Sequence, residues 1–206
     1  PNGRTLLHFE GAAQQAEVWV GDTLAGKHIG GYDEFLIDVT DACRALPVDQ
    51  PLPLGVLCDN GRDIDRLPSD LSDFTLYGGL YRHVHRLYAP AVSLETVHIA
   101  PTFAPGSPAT VSVRACIYNP THHSGNVNVA IHVTGPDGSS IHQSQKSLAA
   151  WNEMVEITSF SIASPAPWSP DHPHLYSCSV TLRTDFGESA TTERFGMRHA
   201  EWVDHG

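Results

Sequence analysis

The 206-residue chain carries 23 Asp and Glu against 12 Lys and Arg, a formal net charge of -11. Residues 1–88 hold 13 acids and 7 bases, and residues 89–206 hold 10 and 5, so both halves are acidic (-6 and -5) and neither offers the basic stripe that nucleic acid or an anionic membrane needs. Hydrophobic residues make up 41%, the 17 Gly and 15 Pro are spread along the chain, and no apolar run nears the roughly 20 residues of a membrane span, so the chain reads as one large or two ordinary globular domains.

Pro1-Asn2-Gly3 has no secretion-signal pattern and reads as a cut within a longer polypeptide. Period-two alternation then predicts strands at Leu6–Phe9, Ala16–Val20, Leu24–Ile29 and Phe35–Asp38. Gly21-Asp22 lies between the second and third of these, and a glycine in first place suits a type II′ hairpin turn. Thr40 is placed to cap a short helical turn reaching Leu46. Strands follow at Leu52–Cys58 and Leu80–Leu87, the second entered through "FTLYGG", where Gly78-Gly79 should allow a tight turn.

Pro90, in "YAPAVS", breaks this run and marks a domain boundary. Beyond it come seven short strands: Val97–Ile99, Thr110–Tyr118, Asn126–Thr134, Ser140–Gln145, Met154–Ser161, Ser177–Thr184 and Thr191–Phe195. Their number and spacing fit an immunoglobulin-like sandwich. The predicted fold class is all-β, with two β-sandwiches in tandem. Cys116 and Cys178 have a separation that would suit an inter-sheet disulfide. Their strand phases oppose one another, however, Cys116 pointing out and Cys178 in, so free thiols are expected. Cys58 shares the phase of Leu54 and Val56 and is expected to be buried.

Chemistry-bearing residues are sparse. Asp63 and Asp65 in "GRDIDR", Asp33-Glu34 and the pair Asp70 and Asp73 read as acids on solvated loops. His122-His123 sits in turn chemistry, and His172 and His174 lie in a Pro-rich connector rather than at metal-ligand spacing. Ser139-Ser140 lacks the strand-turn-helix setting of a nucleophile elbow, and there is no phosphate-binding or dinucleotide fingerprint. The residues alone show no self-sufficient active site.

Several phrases nevertheless fall in a telling order. Phe9-Glu10-Gly11, Val18-Trp19-Val20, His28 to Tyr32, Phe35 and Asp38 to Thr40 resemble the sugar-binding jelly-roll domain of glycoside hydrolase family 2, which includes β-galactosidases, β-glucuronidases and β-mannosidases. "YGGLYRHV" resembles the strand that closes that sandwich, and "PWSPDHPHLY" and "ERFGMR" resemble the end of the family's immunoglobulin-like second domain. The hairpin departs from the usual Asn-Gly, and the family's opening strands would precede the Phe-Glu-Gly step, which implies unpaired strand edges here.

The resemblance implies a partial jelly roll over residues 1–89, an immunoglobulin-like sandwich over 90–199, and the start of a linker to a catalytic barrel at 200–206. Retaining hydrolysis in the family uses two barrel glutamates, about 5–5.5 Å apart, after the Phe-Gly-x-Arg motif. The chain reaches Gly206 only eight residues beyond Arg198, so this part alone is expected to be inactive. It would support the barrel of the same polypeptide, of a β-galactosidase-like enzyme, and lend loop residues to a terminal β-glycoside. The candidates for substrate binding are Asp59, Asn60 and Asp63, with Phe74 as a wall. No cofactor and no metal ligand is implied for this part, although the intact enzyme could hold a cation and form a homo-oligomer. Neither nucleic acid nor membrane is an expected partner, and bacterial cytoplasm and periplasm both fit. The rival readings are a stand-alone carbohydrate-binding module using Trp19, Trp151 or Trp168, a β-glucuronidase or β-mannosidase parent, and an adhesion-type tandem.

Overall fold

The computed structural model describes residues 3–47, 50–66, 73 and 75–201. It resolves into two compact units, Pro1–Ala89 and Pro90–Gly206.

The first unit contains β1 (Arg4–Phe9), β2 (Ala12–Ala13), β3 (Gln15–Val20), β4 (Thr23–Ile29), β5 (Phe35–Asp38), α1 (Thr40–Ala45), β6 (Leu54–Asp59), β7 (Gly79–Leu80) and β8 (Val84–Ala89). β1 lies between β5 and β8, and β3 between β4 and β6, with all pairs antiparallel. Alternation decides the inner faces: Leu7, Phe9, Phe35 and Ile37 from one sheet meet Ala16, Val18 and Val20 from the other in one core. Phe9 stacks on Phe35 at 4.6 Å between centroids, and His28 extends the stack 4.1 Å beyond. Of the two hairpin residues only Gly21 has positive φ (+56°), as a type II′ turn requires.

Three local expectations are corrected. Thr40 does not cap α1 with its side chain; it is the first helical residue, and Asp38 accepts from its N–H (2.9 Å) and its hydroxyl (2.5 Å). The same hydroxyl accepts from the Thr5 N–H at 2.9 Å, tying the helix start to β1. The single strand Leu80–Leu87 is really two, because β7 pairs with β2 and β8 with β1. Between them the Tyr81 hydroxyl donates to the Gly31 carbonyl. Cys58 is only half-buried, since among the described residues β6 ends its sheet with one neighbour, β3. β8 likewise ends its sheet among the described residues. Arg86 and Tyr88 on it line a cavity of about 650 Å³ with Thr5, Thr40, Cys43 and Leu52.

The second unit is a seven-stranded sandwich of β9 (Ser93–Thr102), β10 (Ala109–Tyr118), β11 (Asn126–Thr134), β12 (Ser140–Ala149), β13 (Val155–Ile162), β14 (Tyr176–Thr184) and β15 (Gly187–Phe195). One sheet has the order β13-β10-β9 and the other β12-β11-β14-β15, the arrangement of an immunoglobulin-like fold. Inner positions alternate strictly: Val111, Val113 and Ala115 on β10, Val127, Val129, Ile131 and Val133 on β11, and Cys178, Val180 and Leu182 on β14. Tyr176 is fully buried with a polar tip, and its hydroxyl accepts from the Ala166 N–H at 2.8 Å. The turn at Gly135–Gly138 closes with a 2.9 Å backbone bond, while Asp137 accepts from the Ser139 N–H. The four cysteines are free; Cys178 lies in the core and Cys116 on the other face, as their phases require. Among the described residues the chain is all-β apart from α1, and no described helix is long and apolar enough to cross a membrane.

Candidate functional site

The loop that leaves β6 is where the predicted sugar-contacting residues fall. Asp59 is the last residue of β6, held in the sheet by its carbonyl, which accepts from the Gln14 N–H at 2.9 Å. Its side chain turns to the loop: Oδ1 accepts from the Gly61 N–H at 2.8 Å, and Oδ2 lies 3.6 Å from the Arg66 guanidinium. Asp63 accepts from the Asp65 N–H at 3.0 Å and pairs with Arg66 Nε at 3.0 Å. Arg66 therefore gathers both carboxylates on one side of the loop. It is the residue that the sequence reading missed, and the Asp63–Arg66 spacing of three within a turn was the available signal.

Asn60 is anchored differently. Its amide donates to the Leu76 carbonyl at 3.3 Å, and it packs on Gly78, where a Cβ would stand 3.2 Å from Asn60 Nδ2. Gly79 takes φ +74°, a left-handed backbone that lets the chain turn into β7. The Gly-Gly step thus serves two needs, close approach at Gly78 and turning at Gly79. Next to it, the exposed Tyr77 ring stands 6.1 Å from Tyr81. The structure brings Asp59, Asn60 and Asp63 into one loop; Phe74 lies outside the described residues. Carboxylate and amide oxygens with remaining lone pairs suit hydroxyl-rich ligands, because they accept hydrogen bonds and the amide also donates.

A second cluster lies on the outer face of the β5-β1-β8 sheet. Glu10 Oε1 accepts from His85 Nε2 at 2.9 Å and Oε2 from His83 Nδ1 at 3.2 Å. Those bonds, His85 first, hold the Glu10 carboxyl below its ordinary value. Beside them His8 Nε2 bonds to Glu34 Oε2 at 3.0 Å. This cluster was also missed, although His-x-Glu at 8–10 and His-x-His at 83–85 each put two polar groups on one strand face.

Two antiparallel β-sandwich units, the first carrying a polar loop at the end of a strand, define the class as all-β and two-domain. Residues 92–198, just over half of the chain, match the profile of glycosyl hydrolases family 2, and the chain belongs to that family. It is 27% identical over 208 residues to a β-galactosidase of Thermoanaerobacter pseudethanolicus, covering 98% of this chain and 27% of that protein. It is 26% identical over 209 residues to a β-glucuronidase of Bacteroides fragilis, with 95% and 29% covered. Among solved structures, a β-glucuronidase of Parabacteroides merdae superimposes with a TM-score of 0.86 at 35% identity, over 98% of this chain and 26% of that one. A β-glucuronidase of Bacteroides uniformis gives 0.81 at 36% identity, over 97% and 25%. The chain therefore spans about a quarter of the length of these relatives.

Proposed function

We propose that this chain is the non-catalytic part of a retaining β-glycosidase that precedes the catalytic barrel, and that its loop 59–66 contributes contacts to the bound terminal sugar. The observation that carries the reading is the joint anchoring of Asp59 and Asp63 by Arg66, together with Asn60 seated on Gly78. A loop tied down in this way presents its acceptors in one geometry and loses little conformational freedom when a sugar arrives. The two carboxylates already engage a guanidinium and backbone N–H groups, which fits positioning rather than acid-base work. Solved neighbours at 35–36% identity are β-glucuronidases, and the two sequence relatives at 26–27% are one β-glucuronidase and one β-galactosidase, so the solved neighbours alone favour a β-glucuronide over the β-galactoside first expected.

In the polypeptide that carries the barrel, Asn60→Ala and Asp63→Asn should each lower kcat/KM for the preferred aryl β-glycoside by about three- to tenfold, the worth of one hydrogen bond to substrate. Values within a factor of two of the parent for both would remove the loop from the site. A stand-alone binding module is less well supported, because it needs an open aromatic platform. Trp19, Trp151 and Trp168 are all half-buried; the Trp151 indole donates to the Ala115 carbonyl at 3.0 Å, and Arg198 covers Trp168 at 5.5 Å.

A further inference from the structure

We propose that the outer face of β1 and β8 is a binding site for a borderline divalent transition-metal cation, with His8, Glu10, His83 and His85 as its donors. Zinc is the natural probe. His8 and His85 are directly opposed in the β1–β8 ladder; Glu10 and His83 lie one residue beyond the two strands, where the Glu10 N–H donates to the His83 carbonyl at 3.1 Å, and their side chains meet beside His85. An antiparallel pair that places side chains at i and i+2 of one strand against j and j-2 of its neighbour puts four donors at the corners of a small rectangle.

Distances support convergence. The His8 and His85 ring centroids are 6.0 Å apart and those of His83 and His85 5.9 Å. Two imidazoles on one tetrahedral zinc, with Zn–N near 2.0–2.1 Å, have centroids about 5 Å apart. Each pair therefore needs to close by about 1 Å, within reach of side-chain rotation and without movement of the sheet. Among the described residues no three donors already surround a common centre. The reason is visible: the Glu10 carboxylate occupies the space between His83 and His85 and bonds to both, and His8 turns aside to Glu34. A cation would enter where Glu10 now bridges, exchanging those hydrogen bonds for metal–ligand bonds.

The donor set also selects the ion. Three imidazoles and one carboxylate match zinc, nickel or copper, which favour nitrogen ligands. Calcium asks for six to eight oxygens, and the cluster supplies carboxylates only from Glu10 and Glu34. The donors are reachable from solvent, with the His83 side chain 82% exposed and that of His85 49%. Bound metal would join β1 to β8 across the face of the sheet and so stabilise the first unit by mass action.

The test is calorimetric titration of the 206-residue chain with zinc chloride and, separately, calcium chloride, alongside thermal melting with and without zinc. One zinc per chain and a raised first-unit melting temperature are expected, with calcium silent. His85→Ala and His83→Ala, each removing a direct ligand, should weaken zinc binding by at least the about ten- to a hundredfold that loss of an outer-shell partner costs. His83 is so exposed that its replacement leaves the fold intact, which separates loss of a ligand from loss of structure. His172→Ala with His174→Ala, in the Pro-rich connector, should leave the titration unchanged. Absence of zinc binding, equal binding by His83→Ala and His85→Ala, or loss of binding in the connector variant would each overturn the proposal.

Discussion

The Gly78-Gly79 step can be tested by changing one hydrogen to a methyl group. At Gly79 no atom lies within 4 Å of the position a Cβ would take, so Gly79→Ala creates no clash and isolates the cost of φ +74°. For an L-residue that left-handed conformation costs about 1–2 kcal/mol. The first unit runs from Pro1 to Ala89, and domains of that size lose about 4–8 °C per kcal/mol, so its melting transition should fall by about 4–16 °C. Gly79→Asn should lose distinctly less, because asparagine visits this region with a smaller penalty. Scanning calorimetry that resolves the two units is the assay, and the second unit's transition serves as the internal reference. A Gly79→Ala first-unit transition within about 1 °C of the parent would refute the left-handed assignment and the turn built on it.

Other consequences follow from the same structure. Gly78→Ala places a Cβ 3.2 Å from Asn60 Nδ2, so the Asn60 side-chain amide resonances should move while the first unit stays folded, as amide NMR would show. Ile131 is 2% exposed in the core of the second unit, and Ile131→Ala should lose about 2–5 kcal/mol from that transition alone. Tyr176→Phe leaves the Ala166 N–H without its acceptor and should cost about 1–3 kcal/mol by denaturant unfolding. Burial pushes the Cys178 thiol up to about 11, so at pH 8 it is protonated as well as covered. Mass spectrometry should find Cys178 unalkylated by iodoacetamide in the folded chain and all four cysteines alkylated after denaturation.

What could be read from the residues was largely what period-two alternation controls. β10, β11 and β14 follow it strictly, because both sheets of the second unit bury one face and expose the other. β12 extends to Ala149, four residues past the expected end at Gln145, since "KSLA" carries little apolar contrast. The split between β7 and β8 was hidden because a strand changing partners keeps its local pattern; only the pairing with β2 and then β1 reveals it. The candidate loop shows the same division. Asp59, Asn60 and Asp63 were visible as residue types able to meet a sugar. The Asp63–Arg66 spacing hinted at one ion pair, but that Arg66 also reaches Asp59 and that Gly78 seats Asn60 depends on how the loop folds back, which no local pattern encodes. The cluster joins Glu10 to His85, 75 residues away in sequence, brought side by side only when β1 pairs with β8.

On the proposed function, this chain accompanies catalysis without performing it. The most direct test is to incubate the purified 206-residue chain, shown by circular dichroism to be folded, with an aryl β-glucuronide and an aryl β-galactoside and to follow release of the aryl alcohol. No release above buffer is expected with either substrate. Saturable turnover that survives rigorous purification would contradict it and would place a working acid and nucleophile within these residues.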